Sequence, residues 1–277
     1  MRFAASHYLG IGSAKPITVT TTGGSRVTLP VYALSAVFEV FGANLYNLPG
    51  DFGPAPVAVD IGGHVGTFTV ALCEAYPAAR CFSFEPAPDT FSFLDNNVRQ
   101  NGLSQRVQTA MCAVGGHAGT ATMDVAGPAA SGHRSILSSP PGSAATVDVP
   151  VRAFADVVRA VGEPIDIMKM DCEGSEYPIV EETSAADWRD IRRVVMEYHP
   201  GSYDRLVALA QRMRSFGFTL VGQWRWQHSD DLLGMLWWAK PGYESGFSAA
   251  TAGKGADHLD PVAIALPTAG PGVAAAA

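Results

Sequence analysis

The stretch from residue 57 to residue 66 constrains the fold of this chain more than any other. It opens with an apolar run that ends on Asp60, a pattern typical of a buried parallel strand. Glycines follow at 62, 63 and 66, and residues 67–72 then predict a helix. A strand, a glycine-rich turn and a helix bring backbone N–H groups and a helix N-terminus close to a ligand. The stretch therefore predicts the first unit of an α/β sheet with a ligand at its turn.

A second acidic residue, Glu85, indicates what kind of ligand this is. It directly follows the apolar run at 81–84, which predicts the next strand. An acidic residue at the tip of the neighbouring strand is placed to accept hydrogen bonds from a ribose diol. The two strand ends together predict a nucleoside-binding half-fold.

Composition limits the partners and the compartment. The 277 residues are 47% hydrophobic, enough for one sizeable core, and the net charge of −7 gives no basic field that would attract nucleic acid. The four cysteines form no C-x-x-C pair and lie in or beside apolar stretches, as reduced thiols do. No run approaches the roughly 20 apolar residues of a membrane span. We expect a cytoplasmic protein without nucleic-acid or membrane partners, and its oligomeric state stays open.

Strands alternate with helices from residue 57 onward, which predicts a mainly parallel sheet with helices on both faces. One strand is predicted at 107–114, and a closing antiparallel hairpin at 219–223 and 232–239. A loop rich in glycine, proline and serine at 127–143 carries His133 and Arg134, and such long loops often bind substrate. The predicted divisions are a cap at 1–54 that begins with a hairpin, a main domain at 55–241, and a disordered tail rich in Ala, Gly and Pro at 242–277.

The glycine turn does not by itself distinguish a dinucleotide from S-adenosylmethionine. Its glycines lack the G-x-G-x-x-G register that favours a pyrophosphate on the helix. Asp60, just before the turn, suits an ammonium group better than a phosphate, and a sulfonium likewise prefers carboxylates. The acidic strand ends therefore favour S-adenosylmethionine.

The segment from Lys169 to Glu176 holds the second group of candidate residues. Alternate residues of a strand share a face, so Lys169 and Asp171 lie on one side, as do Glu197 and His199 farther on. If the two strands are neighbours, Lys169 can pair with Glu197 and Asp171 with His199. The pairs are then either buried structural ion pairs or a site in which neutral His199 takes a proton.

A metal is an alternative use for Asp171, Glu173 and His199. No H-x-x-x-H motif and no Cys/His cluster supports it, and the acids can equally cap a helix predicted to start near Glu173. The sequence therefore predicts no metal.

Four motifs resemble, in order and spacing, the FkbM family of S-adenosylmethionine-dependent methyltransferases. They are Val59-Asp60-Ile61-Gly62-Gly63-His64-Val65-Gly66, Phe84-Glu85-Pro86, Lys169-Met170-Asp171-Cys172-Glu173-Gly174-Ser175-Glu176 and Glu197-Tyr198-His199. The resemblance covers roughly residues 30–240 and implies a Rossmann-like class I methyltransferase fold that often methylates hydroxyl groups of natural products or sugars. The family commonly has Ala-Asn where this chain has Gly63-His64.

The resemblance and the strand ends together give the predicted site. The cofactor residues are Asp60, Gly62, Gly63, His64, Gly66, Glu85, Pro86, Ala113 and Asp171. The catalytic residues are His199, Asp171 and Glu173, and the substrate residues are His133, Arg134 and Glu197. The predicted reaction is methyl transfer from S-adenosylmethionine to a hydroxyl oxygen of a small-molecule acceptor. The alternatives are a non-catalytic nucleotide-binding or scaffold protein and an NAD-dependent oxidoreductase.

Overall fold

The N-terminal segment forms a hairpin followed by short helical turns. The computed structural model describes residues 16–48, 50–125, 136, 145–199, 201–225 and 233–246. Strands β1 (Pro16–Thr20) and β2 (Arg26–Pro30) pair antiparallel and form the hairpin predicted for this segment. A 3-10 turn (Val31–Ala33), helix α1 (Leu34–Val37) and a π-helical turn (Phe38–Gly42) follow.

The main domain alternates strands and helices, as predicted. Its elements are β3 (Val57–Ile61), α2 (Thr67–Ala75), β4 (Arg80–Phe84), α3 (Pro88–Gln100), β5 (Val107–Ala110), β6 (Ala113–Gly115), β7 (Gly119–Asp124), β8 (Thr146–Ala153), α4 (Phe154–Val161), β9 (Ile167–Met170), α5 (Glu176–Glu182), β10 (Arg193–Tyr198), α6 (Tyr203–Ser215), β11 (Thr219–Arg225) and β12 (Gly234–Ala239). Among the helices of the described residues, none is long and apolar enough to cross a membrane.

Seven strands form the central sheet, in the order β11-β12-β10-β9-β3-β4-β5. Strand β3 is buried along its whole length, with Val57, Val59 and Ile61 in one apolar core and Ala58 in the other. Apolar packing on both faces is what a parallel sheet covered by helices requires. Strand β3 is therefore an interior strand, between β9 and β4.

The closing hairpin is present, but only one of its strands is antiparallel to the rest. Strand β12 inserts between β10 and β11 and runs antiparallel to both. Strand β11 consequently runs in the same direction as the five parallel strands.

The winding of the sheet reverses between β3 and β9. From β3 the chain moves outward through β4 to β5, and it later returns to β9 on the other side of β3. In open α/β sheets, ligands bind outside the carboxyl ends of the strands at such a switch point. Asp60 lies near the end of β3 and Asp171 directly follows β9, so both lie at this position.

Two predicted element boundaries are wrong. The strand predicted at 107–114 bends at residues 111–112, and its second half, β6, pairs with β8 in a separate three-stranded sheet. The helix predicted from Glu173 begins at Glu176 instead, because Glu173 and Gly174 have φ values of +55° and +100°. A helix needs negative φ, so the chain turns before α5 starts.

The segments at the two ends of the described chain both pack against the main domain. The side chain of Asn97 on α3 pairs with the backbone of Thr28, accepting from its N–H and donating to its C=O at 2.8 Å each. Tyr243, inside the predicted tail, stacks on the guanidinium groups of Arg192 and Arg193. The tail from residue 247 onward and the predicted binding-loop residues His133 and Arg134 lie outside the described residues.

Candidate functional site

The turn after β3 requires glycine at its first position. Gly62 has φ of +79°, and a Cβ atom there would lie 1.8 Å from the backbone oxygen of Asp171. The N–H groups of Gly62 and Gly63 both donate to the carbonyl of Phe84 at 2.9 Å. The turn is therefore pressed against the ends of both neighbouring strands, at the switch point.

A buried ion pair supports this turn from below. The Lys169 ammonium lies 3.3 Å from Asp60 Oδ1 and 3.6 Å from Asp171 Oδ2, and it donates to the carbonyl oxygen of Gly62. Burial lowers the pKa of Lys169, but the Asp60 and Asp171 carboxylates outweigh it and raise that pKa above its usual value. Lys169 therefore stays charged and holds the turn between β3 and β9.

Two sequence expectations are corrected at this pair. Lys169 pairs with Asp60 and Asp171 instead of Glu197. Asp60 has no exposed surface, and its Oδ2 accepts hydrogen bonds from Thr69 and Ser83. Its carboxylate lies beneath the turn and does not face the cleft.

Glu85 follows β4 and is fixed by three donors. Its Oε2 accepts the His64 N–H at 2.7 Å, and its Oε1 accepts the Ala87 N–H and the Thr90 hydroxyl at 2.9 Å each. Burial raises the pKa of Glu85, and these hydrogen bonds oppose that rise. Because a carboxylate oxygen can accept two hydrogen bonds, Oε2 has capacity for one more donor.

A second cluster forms where β9 and β10 end. The Nε2 atom of His199 lies 3.2 Å from Glu173 Oε2 and 3.7 Å from Asp171 Oδ1. Its Nδ1 atom lies 2.9 Å from Oε1 of Glu176, a fully buried carboxylate that also accepts the N–H groups of Cys172 and Gly174. The predicted proximity of Asp171 and His199 is therefore present, with Glu173 added to it.

The charge of His199 differs from the expected neutral base. Burial lowers the pKa of His199, but Glu176 and Glu173 outweigh this effect and raise it well above its usual value. The imidazole is therefore protonated at neutral pH and donates from both nitrogens. In this state it cannot take a proton from a substrate.

The pKa values of the two carboxylates beside His199 are shifted in opposite directions. The pKa of Asp171 is lowered, because Lys169 and His199 outweigh the effect of burial. The pKa of Glu197 is raised well above its usual value by burial and by the neighbouring Asp171. Glu197 therefore holds its proton more strongly than Asp171 does.

Comparison with known proteins decides the family. A family model described as the methyltransferase FkbM domain matches residues 60–220, which is more than half of the chain. The chain belongs to the FkbM methyltransferase family. With the class I strand order of its central sheet, it is a methyltransferase of the FkbM type.

Two relatives and one solved structure illustrate the similarity. The methyltransferase sdnD of Sordaria araneosa is 27% identical over 61% of this chain and 78% of its own length. The 31-O-demethyl-FK506 methyltransferase FkbM of Streptomyces tacrolimicus is 28% identical over 67% of this chain and 81% of its own. The crystal structure of methyltransferase FkbM from Methylobacillus flagellatus aligns with a TM-score of 0.47 and 16% identity, over 75% of this chain and 54% of that one.

The methyltransferase brings most of the predicted site residues to one edge of the sheet. These residues follow the carboxyl ends of β3, β4, β9 and β10 or lie on those strands. They are the turn residues Gly62, Gly63, His64 and Gly66, the pair Glu85 and Pro86, and the cluster of Asp171, Glu173, Glu197 and His199. Ala113 lies on β6 of the smaller sheet, three residues after the carboxyl end of β5.

Sequence reasoning missed two residues that contact this cluster. The Tyr46 hydroxyl, from the N-terminal cap, donates to Asp171 Oδ2 at 3.3 Å, and Glu176 holds His199. Tyr46 is an aromatic residue in an irregular segment, and no sequence pattern links it to β9. Glu176 lies within the motif from Lys169 to Glu176, so its acidic side chain in that motif was the signal that could have identified it.

Proposed function

We propose that this methyltransferase transfers a methyl group from S-adenosylmethionine to a hydroxyl group of a small molecule. The observation that carries the proposal is the arrangement at the switch point. There the Gly62 turn and Glu85 lie on one side, and the acidic cluster around His199 lies on the other. The name of one relative describes an O-methyltransferase substrate, 31-O-demethyl-FK506, which supports an oxygen acceptor.

The residues at the first two strand tips fit an adenosyl cofactor. The glycines at 62 and 63 let the turn pack directly against the neighbouring strands, since a Cβ at either position would lie within 2.5 Å of Asp171 or Ser83. Glu85 Oε2 can accept one hydrogen bond from a ribose hydroxyl. The charged carboxylate of Asp171 suits the cationic end of the cofactor. These residues would hold S-adenosylmethionine. Asp60 would contribute indirectly, by keeping Lys169 and the turn in position.

When bound, S-adenosylmethionine supplies a methyl group on a sulfonium leaving group. The protein then has mainly to orient the acceptor, and orientation of this kind contributes roughly 7–11 kcal/mol to catalysis. The cluster of Asp171, Glu173 and His199 is the proposed acceptor site. The side chains of Asp171 and Glu173 are about one-quarter and one-fifth exposed, so an acceptor can reach them.

The acceptor hydroxyl must also lose its proton. Because His199 is already protonated, we assign proton acceptance to the Asp171 and Glu173 carboxylates, with the His199 imidazolium held between them. A positioned base contributes typically 10²–10⁴-fold to such a reaction. The proposed base is thus a carboxylate pair that His199 orients.

Two rival functions give different binding results. A non-catalytic nucleotide-binding protein would bind S-adenosylhomocysteine without turnover, and an oxidoreductase would bind NAD.

The four cysteines are free thiols in the structure, which supports our proposal that the protein acts in the cytoplasm.

Calorimetric titration with S-adenosylhomocysteine and NAD tests the proposal. We expect binding of S-adenosylhomocysteine and none of NAD. Glu85→Ala should weaken that binding by about 1.5–3 kcal/mol, roughly 10- to 150-fold, because it removes a charge-assisted hydrogen bond. Glu163→Ala is the matched control, since Glu163 pairs with Arg80 at the opposite end of the sheet.

Thermal unfolding of both variants checks that they are folded at the titration temperature. Equal affinity of the wild type and the Glu85→Ala variant for S-adenosylhomocysteine would show that Glu85 does not bind the cofactor. Preferential binding of NAD would refute the cofactor assignment.

A further inference from the structure

The geometry points to a divalent-cation site formed by Asp171, Glu173 and His199. Each residue offers one donor atom, and the three donor atoms lie within 4.8 Å of one another. They are two carboxylate oxygens and the Nε2 atom of the His199 imidazole, which releases its proton to solvent when a cation binds. All three groups are common metal ligands. The sequence predicted no metal because the three residues come from two separate segments without a ligand-spacing motif.

The separations suit a small divalent cation. Two ligands bound side by side at about 2.1 Å from a cation in octahedral geometry lie about 3.0 Å apart. The Nε2 atom of His199 lies 3.2 Å from Glu173 Oε2 and 3.7 Å from Asp171 Oδ1. Small side-chain movements would therefore close the set around one ion.

A separate set of contacts orients two of the donors toward this position. His199 Nδ1 contacts Oε1 of Glu176, whose carboxylate is fully buried and fixed by two backbone N–H groups. A carboxylate on the second ring nitrogen is the usual partner of a metal-binding histidine, because it fixes the ring and leaves Nε2 for the metal. Asp171 is oriented in a similar way, since Tyr46 donates to Oδ2 and the Oδ1 atom faces His199.

The ligand set predicts the class of cation. Carboxylates suit Mg²⁺ and Mn²⁺, whereas imidazole suits later first-row ions, so a mixed set with two oxygens and one nitrogen suits Mn²⁺ best among the common hard ions. Three protein ligands leave coordination positions open, as they do in catalytic metal sites. The site therefore takes a divalent first-row cation with room for an oxygen ligand.

A bound cation would also change the role of the two carboxylates. As ligands they would no longer accept the hydroxyl proton. The acceptor oxygen would instead bind the cation, which lowers the hydroxyl pKa so that the proton passes to water. This catalytic role depends on the proposed function, but the binding of the cation does not.

Titration of the purified protein with Mn²⁺, followed by electron paramagnetic resonance of the free ion, tests the site. We expect about one tightly bound Mn²⁺ per chain, displaced by excess Mg²⁺ or Zn²⁺. Glu173→Gln and Asp171→Asn should each raise the dissociation constant at least about 10-fold, since even the loss of an outer-shell partner costs that much. Glu163→Gln should leave it unchanged, because Glu163 lies far from the cluster in a surface pair with Arg80.

Thermal unfolding identifies any variant that does not fold, and Glu173→Gln is the more conservative one because Glu173 lies in a partly exposed turn. The absence of bound Mn²⁺, or equal affinity in wild type and a folded Glu173→Gln variant, would overturn the inference. Titration with S-adenosylhomocysteine in a chelator separates the two proposals. If the protein binds the cofactor but not Mn²⁺, only the cation site is refuted. If it binds Mn²⁺ but not the cofactor, only the proposed function is refuted.

Discussion

Lys169 shows how one buried side chain connects three parts of the switch point. Its ammonium contacts Asp60 on β3, Asp171 after β9 and the carbonyl oxygen of Gly62. Removing one partner of a buried ion pair typically costs 3–5 kcal/mol, because the other charge is left uncompensated. Lys169, whose side chain is only 4% exposed, therefore holds the turn and Asp171 in register.

Tyr46→Phe tests whether the cap takes part in the site. The substitution removes the hydrogen bond to Asp171 Oδ2 but keeps the ring, which packs edge-to-face on Phe68 at 5.5 Å. We expect a decrease in kcat of roughly 10-fold, corresponding to a charge-assisted hydrogen bond of about 1.5 kcal/mol, and unchanged affinity for S-adenosylhomocysteine. Steady-state kinetics with an identified acceptor, together with calorimetry, measure both. A wild-type kcat in this variant would show that Tyr46 contributes only packing and not a hydrogen bond that matters for catalysis.

The strand period explains which site residues the sequence revealed. Alternation along β9 and β10 predicted that Lys169 and Asp171 share a face, as do Glu197 and His199. The register between the strands was not predictable, and it places Val195 opposite Lys169. Glu197 consequently lies two residues beyond the position opposite Lys169, and the expected Lys169–Glu197 pair does not form.

The turn after β3 is the element on which the cofactor proposal depends. Both Gly62 and Gly24 have positive φ, at +79° and +93°, but only Gly62 is crowded. A Cβ at 62 would meet the Asp171 backbone at 1.8 Å, whereas nothing lies within 4 Å of one at 24. The two glycines therefore form a matched pair that separates backbone strain from steric contact.

We predict that Gly24→Ala lowers the free energy of unfolding by about 1–2 kcal/mol, the usual cost of a left-handed alanine. Gly62→Ala should cost at least about 2 kcal/mol more, because the added atom forces the turn away from Asp171. Denaturant unfolding of the two variants measures the difference. Equal losses of stability would show that the turn is not pressed against the end of β9.

Element boundaries were predictable where a periodic pattern was long, and they failed where the chain turned. Helix α2 begins at Thr67, the residue at which the helix predicted at 67–72 begins. The strand predicted at 107–114 was wrong because residues on both sides of its bend are apolar, so the pattern continues across it. Only pairing with a distant strand, β8, distinguishes the two halves.

At the scale of the whole molecule, the sequence predicted the architecture of the sheet but not the contacts of the cap. The alternation of strands and helices predicted the parallel core. The cap was predicted only as a segment at 1–54 that begins with a hairpin, and through Tyr46 it contacts Asp171, 125 residues away in sequence. Contacts at this sequence distance leave no local pattern, so only the folded chain reveals them.

The central claim is that an adenosyl cofactor lies across the carboxyl ends of β3 and β4, with its reactive end toward Asp171. A crystal structure of the protein with S-adenosylhomocysteine measures this most directly. The account predicts a ribose hydroxyl on Glu85 Oε2, the nucleoside over the Gly62–Gly63 backbone, and the sulfur facing the Asp171, Glu173 and His199 cluster. A ligand bound elsewhere on the protein, or strand ends that stay closed at saturating S-adenosylhomocysteine, would contradict it.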